Sequence, residues 1–371
     1  MNFMSDMSIT AVIEGIHYQP TIRRNLKKLD LETLDINKTP TSCIIQDGDN
    51  EFALSKWVSP KRSRSYPYAR VYDSLQKSKR ITVIPIVKDE GIGGDRDFIQ
   101  WDTISLMSLL EVYVIFGYYN RAIINPRRPN KITGQQFDNN LVLEEIREFT
   151  TYQSSALHWN LKELRETLPS LIDRQMIAWQ MISASTGVQL KSEEGFYRFK
   201  QELQSDVNAF MESSRRKAEQ AQSREIRTTH IGEYLETITK ASITITNYIG
   251  GKYFFTVDEV TDYGEYILLT EAKNTNKSLL PKSGDIKDGL LKMMLYQNLD
   301  QVCRNEERRF HRASLKLTSP YIKGNILSTS SEPVLQNFLS LNNFNPANKQ
   351  LIQQVFNEAN SNRFTVQIGN S

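Results

Sequence analysis

Glu271, Ala272 and Lys273 form an acid-x-lysine triplet at the end of the apolar run that starts at Tyr266, and Asp258 lies near the end of the preceding run, YFFTVDEV. In an extended strand residues two apart share a face, so Glu271 and Lys273 stand side by side with Ala272 turned away. The DYGE sequence at 262–265 is a turn signal that folds the two runs into a hairpin. Counting back from that turn puts Asp258 opposite the neighbourhood of Leu269, one diagonal step from Glu271. Two carboxylates and an ammonium at the rim of an apolar strand cost roughly several kcal/mol unless they are paired or bind a metal. Two hard carboxylates suit Mg²⁺, which keeps several waters and takes further ligands from a phosphate. A lysine beside such a site orients or deprotonates the attacking water and stabilises charge on the phosphorane-like transition state. The chemistry this set could do is phosphodiester hydrolysis. A second triplet, Asp285-Ile286-Lys287, falls where a helix begins and reads as an N-cap with a surface lysine.

The elements around the triplet follow from periodicity. A helix over 226–240 precedes ITITNYI (243–249), and Gly250-Gly251 turns it into YFFTVDEV (253–260) and then YILLTEAK (266–273). A polar loop with Pro281 and Gly284 leads to a helix from Asp285 to Cys303, and RASLKLTS (312–319) is a further strand, giving the order αβββαβ. Leu290, Leu291, Met294 and Leu295 form the apolar stripe of the later helix, and Lys287, Asp288, Lys292 and Gln297 are its polar positions. Residues 138–222 carry a helical period, broken at Pro169 and at 185–187, that fits three long helices. Upstream, ITVIPIV (81–87), a helix over 102–112 and YVIFGYY (113–119) make a βαβ-like unit, and the proline-containing INPRRPNK after it reads as a linker. The first forty residues show weak periodicity and suggest a helix or two. The fold class is α/β with a mixed sheet: an N-terminal α/β module over 1–135, a helical region over 136–225 that serves as linker or dimerisation surface, and a C-terminal core over 226–371.

The Asp258, Glu271, Lys273 set within that order resembles the PD-(D/E)XK nuclease superfamily, and the helix GDIKDGLLKMMLYQNL resembles the one that follows the active strand in type II restriction endonucleases. Val257 stands where the motif has proline. The resemblance implies a restriction-endonuclease-like core in which Asp258 and Glu271 bind Mg²⁺, the Ala272 carbonyl is a further ligand and Lys273 handles the water. Members often add an acid from the preceding helix, where HIGEYLETI offers Glu233 and Glu236, with Glu233 favoured beside the small Gly232. The stretch over 50–120 is similar to N-terminal modules of restriction-type proteins of this superfamily. The expected activity is sequence-specific cleavage of double-stranded DNA, in a homodimer, with a DNA methyltransferase as genetic partner. A repair or anti-phage effector nuclease and a non-enzymatic DNA-binding protein stand as alternatives.

A nuclease must neutralise phosphates, which requires clustered cations rather than a high total charge. The chain of 371 residues carries a net charge of only +3, so placement decides. One cluster is KWVSPKRSRSYPYARVY (56–72), where Lys61, Arg62, Arg64, Tyr66, Tyr68 and Arg70 are the expected DNA contacts, with Lys287 added from the later helix. The other is Arg304, Arg308, Arg309, Arg312 and Lys316. Asp89, Glu90, Asp95, Asp97 and Asp102 do not amount to a second nuclease centre, because the strand after them ends without an acid-x-lysine triplet. Two cysteines exclude a disulfide scaffold, and four scattered histidines show no zinc spacing. With no apolar run of membrane-spanning length and no signal-peptide pattern at MNFMSDMSIT, the expected location is cytoplasmic.

Overall fold

The computed structural model describes residues 8–22, 25–61, 67–205, 210–216, 220, 239–248 and 251–370. It is a mixed α/β protein in two compact units, Asn25–Arg215 and a second built from Met1–Arg24 with Arg216–Ser371. These units do not share the boundaries of the expected three-part division. The helices after 136 pack on the strands before them, and the N-terminal strand joins the C-terminal sheet.

In the Asn25–Arg215 unit a five-stranded sheet has the order β2 (Lys28–Asp30), β3 (Ser42–Asp47), β4 (Asn50–Lys56), β5 (Arg80–Pro85), β8 (Tyr113–Gly117). β4, β5 and β8 run parallel, so their residues are buried on both faces and read as near-continuous apolar runs. Helices α1 (Pro67–Ser74) and α2 (Trp101–Leu109) lie in the connections between them, α3 (Asn139–Thr151) packs on β8, and Asp138 caps α3 by accepting from Leu141 N. Phe52, Phe149, Val142, Ile115 and Trp159 are fully buried in one core. β6 (Val87–Asp89) and β7 (Arg96–Phe98) pair, as do β9 (Tyr119–Asn125) and β10 (Arg128–Phe137). The stretch expected to be a linker is thus the tip of a hairpin.

Helix α4 (Ala156–Lys162) runs through a π-helical turn, Glu163–Thr167, into α5 (Leu168–Thr186), and α6 (Glu194–Ser205) follows. Glu163 in that turn is 1% exposed. Its Oε1 accepts from Thr167 Oγ1 at 3.1 Å, while Oε2 is buried without a hydrogen-bond partner among the described residues. Burial, and then the Glu145 carboxylate, push its carboxyl up to about 8 from an ordinary 4.5. The folded chain therefore holds a proton that the unfolded chain releases above 4.5, so stability is lost as pH rises from about 4.5 to about 8. Glu163→Gln keeps the acceptor and removes the charge. In thermal melts it should be nearly silent at about pH 4 and stabilise by a few kcal/mol at about pH 9. Equal melting shifts at both pH values would contradict this.

The second unit contains a nine-stranded mixed sheet in the order β15 (Glu307–Arg308), β14 (Asp300–Arg304), β1 (Ser8–Ile13), β11 (Thr239–Asn247), β12 (Lys252–Asp262), β13 (Tyr266–Asn274), β16 (Phe310–Thr318), β18 (Thr365–Gly369), β17 (Asn325–Leu327). β1 corrects the expectation of helix near the start. Ile9, Ala11 and Ile13 alternate inward, and the strand pairs parallel to β11 and antiparallel to β14. The following segment is held by Glu358, fully buried on α9 (Pro346–Asn362), whose carboxylate accepts from Tyr18 Oη, Thr21 N and Ile22 N. The expected helix to Cys303 ends earlier: α7 is Ser283–Gln297, and 300–304 is β14. α8 (Glu332–Leu341) and α9 complete the unit. The helix expected over 226–240 lies outside the described residues, save that 239 and 240 begin β11.

α7 packs on β13 and β16. Its apolar stripe, Leu290, Leu291, Met294 and Leu295, is buried as expected. Gly289 faces the sheet, where an added Cβ would come within 2.7 Å of Leu315 Cδ1 and 3.5 Å of Lys273 Cε. The missing side chain lets the helix sit close over the end of β13.

Candidate active site

β12 and β13 pair from Asp262↔Ile267 to Glu259↔Thr270. Leu269 therefore faces Val260, not the neighbourhood of Asp258. The register differs from the expected one by two residues, which leaves each side chain on its original face. Carried one step further, it sets Asp258 against Glu271. There the Asp258 side chain, rather than its backbone, meets the neighbouring strand: Oδ2 accepts from Ala272 N at 2.8 Å. The opposite face carries a separate pair, Lys316 Nζ with Glu259 Oε1 at 2.8 Å, as the period of two requires.

Glu271 is 1% exposed, and both of its oxygens are engaged. Lys273 Nζ lies 2.9 Å from Oε1, and Lys292 Nζ, from α7, 2.8 Å from Oε2. Lys273 also reaches Asp288 Oδ2 at 2.7 Å. Asp288 and Lys292 are one helical turn apart on α7, so both extend toward β13 from the same face. The result is a chain of charge from Asp288 through Lys273 and Glu271 to Lys292, with Asp258 beside it.

The electrostatics of these groups differ. Burial would raise Glu271, but Lys292 and Lys273 outweigh it and hold the carboxyl below its ordinary value. Burial, then the Glu271 charge, push Asp258 upward against Lys292, the Ala272 amide and Lys273. Burial would lower Lys273 and Lys292, yet Glu271 and the neighbouring aspartates keep both above the ordinary lysine value. Three carboxylates thus face two ammonium groups, and Asp258 Oδ1 has no hydrogen-bond partner among the described residues. Asp258 Oδ1 could take a hydrated divalent cation, and a cation shared with Glu271 would have to displace one of the two lysines from it. Among the described residues no cluster of three or more His, Cys, Asp or Glu is arranged to hold a metal.

The expected site residues separate clearly. Asp258, Glu271, Ala272 and Lys273 are brought together. Glu233, with its alternative Glu236, and Arg62, Arg64 and Tyr66 lie outside the described residues. Lys61 is exposed. Tyr68 is buried on α1, and Arg70 donates from Nη1 to the Lys56 carbonyl, so neither is a free surface group. Lys56 itself is buried, donates to the Ile36 and Thr39 carbonyls at 2.6 and 3.0 Å, and is pushed down to about 8 by burial. Lys287, expected on the surface of its helix, is 5% exposed. The second cluster lies at the surface but is mostly paired: Arg304 and Arg309 bind Asp262, Arg312 lies over the Tyr266 ring, and Lys316 holds Glu259, while Arg308 is exposed. In the other unit Asp89 is fully buried against Arg96, with 2.6 Å between Oδ2 and Nη2.

Sequence reasoning missed the role of Lys292 as partner of Glu271 and of Asp288 as partner of Lys273. Their spacing of four on the helix after the triplet was the available signal. Among the described residues no helix is long and apolar enough to cross a membrane. In comparisons with known proteins, no family model, curated protein or solved structure matches this chain.

Proposed function

We propose that the chain is a Mg²⁺-dependent endonuclease for double-stranded DNA, a type II restriction enzyme of PD-(D/E)XK kind with a restriction-endonuclease-like core. One observation carries the reading. A buried glutamate at the end of a central strand is clasped by two lysines, with an aspartate on the adjacent strand anchored to the backbone between the triplet's charged residues.

Each residue has a task. Lys292 fixes Glu271 in one rotamer, and the Ala272 amide fixes Asp258, so the two carboxylates are held before substrate arrives. When bound there, Mg²⁺ supplies Lewis-acid activation of water and of the phosphate oxygens. Lys273, oriented by Glu271 and Asp288, offers its ammonium to the attacking water and to the negative charge that builds on the phosphoryl oxygens. Cleavage of both strands of a palindrome is simplest with two copies of the chain, which supports a homodimer, and self-protection calls for a cognate methyltransferase in the same cytoplasm. A second reading has its own support, because both Glu271 oxygens are already paired: the network is structural and the chain binds DNA without cutting it.

Incubation of the full chain with unmethylated phage DNA and Mg²⁺ should give discrete fragments that EDTA and Glu271→Ala abolish. No fragments, or equal cutting by the variant, would end the endonuclease reading. Ragged cleavage that needs another protein would move it to an effector nuclease.

A further inference from the structure

The β9–β10 hairpin forms a two-stranded sheet of its own in the Asn25–Arg215 unit. From Tyr119 to Phe137 the sequence holds Arg121, Arg127, Arg128 and Lys131 and no aspartate or glutamate. Its base is rigid. Buried Gln175 bonds both to Tyr119 N and to Tyr119 O, and the Tyr119 and Phe137 rings lie 4.6 Å apart. Its tip is exposed and shaped: Asn125 Oδ1 accepts from Arg127 N at 3.0 Å, and Pro126 and Pro129 flank the two arginines. Prolines at this position also discourage another strand from adding to the edge.

Beside the hairpin lies a cleft of about 520 Å³ lined by Lys88, Glu90, Arg127, Arg128 and Lys131. Among the described residues that line it Glu90 is the one acid, with Lys88 at 3.3 Å and Lys131 at 3.8 Å. Among the described residues neither Arg127 nor Arg128 has a carboxylate partner. The arginines and lysines of the two clusters singled out in the sequence, where described, mostly serve carbonyls, carboxylates or rings. These two present guanidinium groups to solvent.

Adjacent like charges repel, and among the described residues no acid compensates them at the tip. An anionic polymer would. A two-stranded ribbon has the width to enter the major groove of a duplex, and a guanidinium fork matches phosphate oxygens two at a time. We propose that the β9–β10 hairpin is a DNA-docking ribbon whose Arg127–Arg128 tip, with Lys131, grips the phosphate backbone of duplex substrate. The choice of duplex DNA rests on the endonuclease reading above; the basic ribbon does not.

Binding of the full chain to a labelled duplex is to be measured by anisotropy in EDTA, where cleavage is suppressed, across a salt series. The Arg127→Ala/Arg128→Ala variant should bind about 10-fold more weakly or worse at low salt, and its log K against log salt should be shallower by about 2. Lys349→Ala, which removes an exposed cation of the other unit, should bind as the unsubstituted chain does, and thermal melting should confirm that the hairpin variant is folded. Unchanged affinity and slope would overturn the proposal while leaving the endonuclease reading intact if Mg²⁺ still supports cleavage. Hairpin-dependent binding without cleavage would do the reverse. Preference for single-stranded RNA or for phosphatidylserine vesicles over duplex would overturn the assignment to DNA, and absence of any duplex binding would overturn both.

Discussion

Lys273→Ala is expected to lower the single-turnover rate of DNA cleavage by about 10²- to 10⁴-fold, the range for losing one positioned proton-handling or charge-stabilising group. Duplex affinity in EDTA should be unchanged. Folding should survive because Glu271 retains Lys292 at 2.8 Å and Asp288 is partly exposed. Lys273→Arg restores the charge but should not restore the rate. The lysine stem runs beneath Gly289, where an added Cβ would already sit 3.5–3.6 Å from its Cε and Cγ, and a planar fork cannot occupy the space of a compact ammonium. A rate within about 10-fold of the unsubstituted enzyme for Lys273→Ala would favour the structural reading of the ion network.

The hairpin that carries the triplet was legible because alternation and a Gly-containing turn are local signals. Gly264, at φ +80°, sits in the turn where DYGE placed it. The register was misjudged by two residues, yet the grouping of Asp258 with Glu271 survived. A one-residue error would have turned every side chain to the other face. What failed depends on distance or on backbone. Pairing β1 with β11 joins residues more than two hundred apart in sequence, and nothing in SITAVI names its partner. Lys56 and Arg70 look like unopposed cations because their acceptors are carbonyl oxygens, which a reading by residue type does not see. Conversely, NPRRPN looked like a linker because proline and polar residues mark turns and linkers alike; only the pairing of Tyr119–Asn125 with Arg128–Phe137 distinguishes them. Asp288 and Lys292 would be read as an ordinary intrahelical pair, but each spans to β13 instead.

Lys292 gives the largest expected stability effect. Its side chain is 16% exposed and its partner's 1%, so removing it leaves a carboxylate in the sheet interior with Lys273 as its remaining ion-pair partner. Breaking a buried pair from one side costs about 3–5 kcal/mol, whereas replacing both partners by neutral groups of similar shape is often close to neutral. Lys292→Met keeps the aliphatic stem that packs along α7 and removes only the charge. It should lower the unfolding free energy of the unit containing β13 by about 3 kcal/mol, read as a shift of that unit's own urea transition because the chain has two units. Adding Glu271→Gln to Lys292→Met should recover most of the loss, since the uncompensated charge is then gone. Neither variant should cleave DNA, but only the single one should be unstable. If the double variant is as unstable as Lys292→Met, the cost lies in packing rather than charge. Lys292 would then be a core side chain that happens to end near Glu271, and the pre-positioning of that carboxylate for a metal would have to come from Lys273 alone.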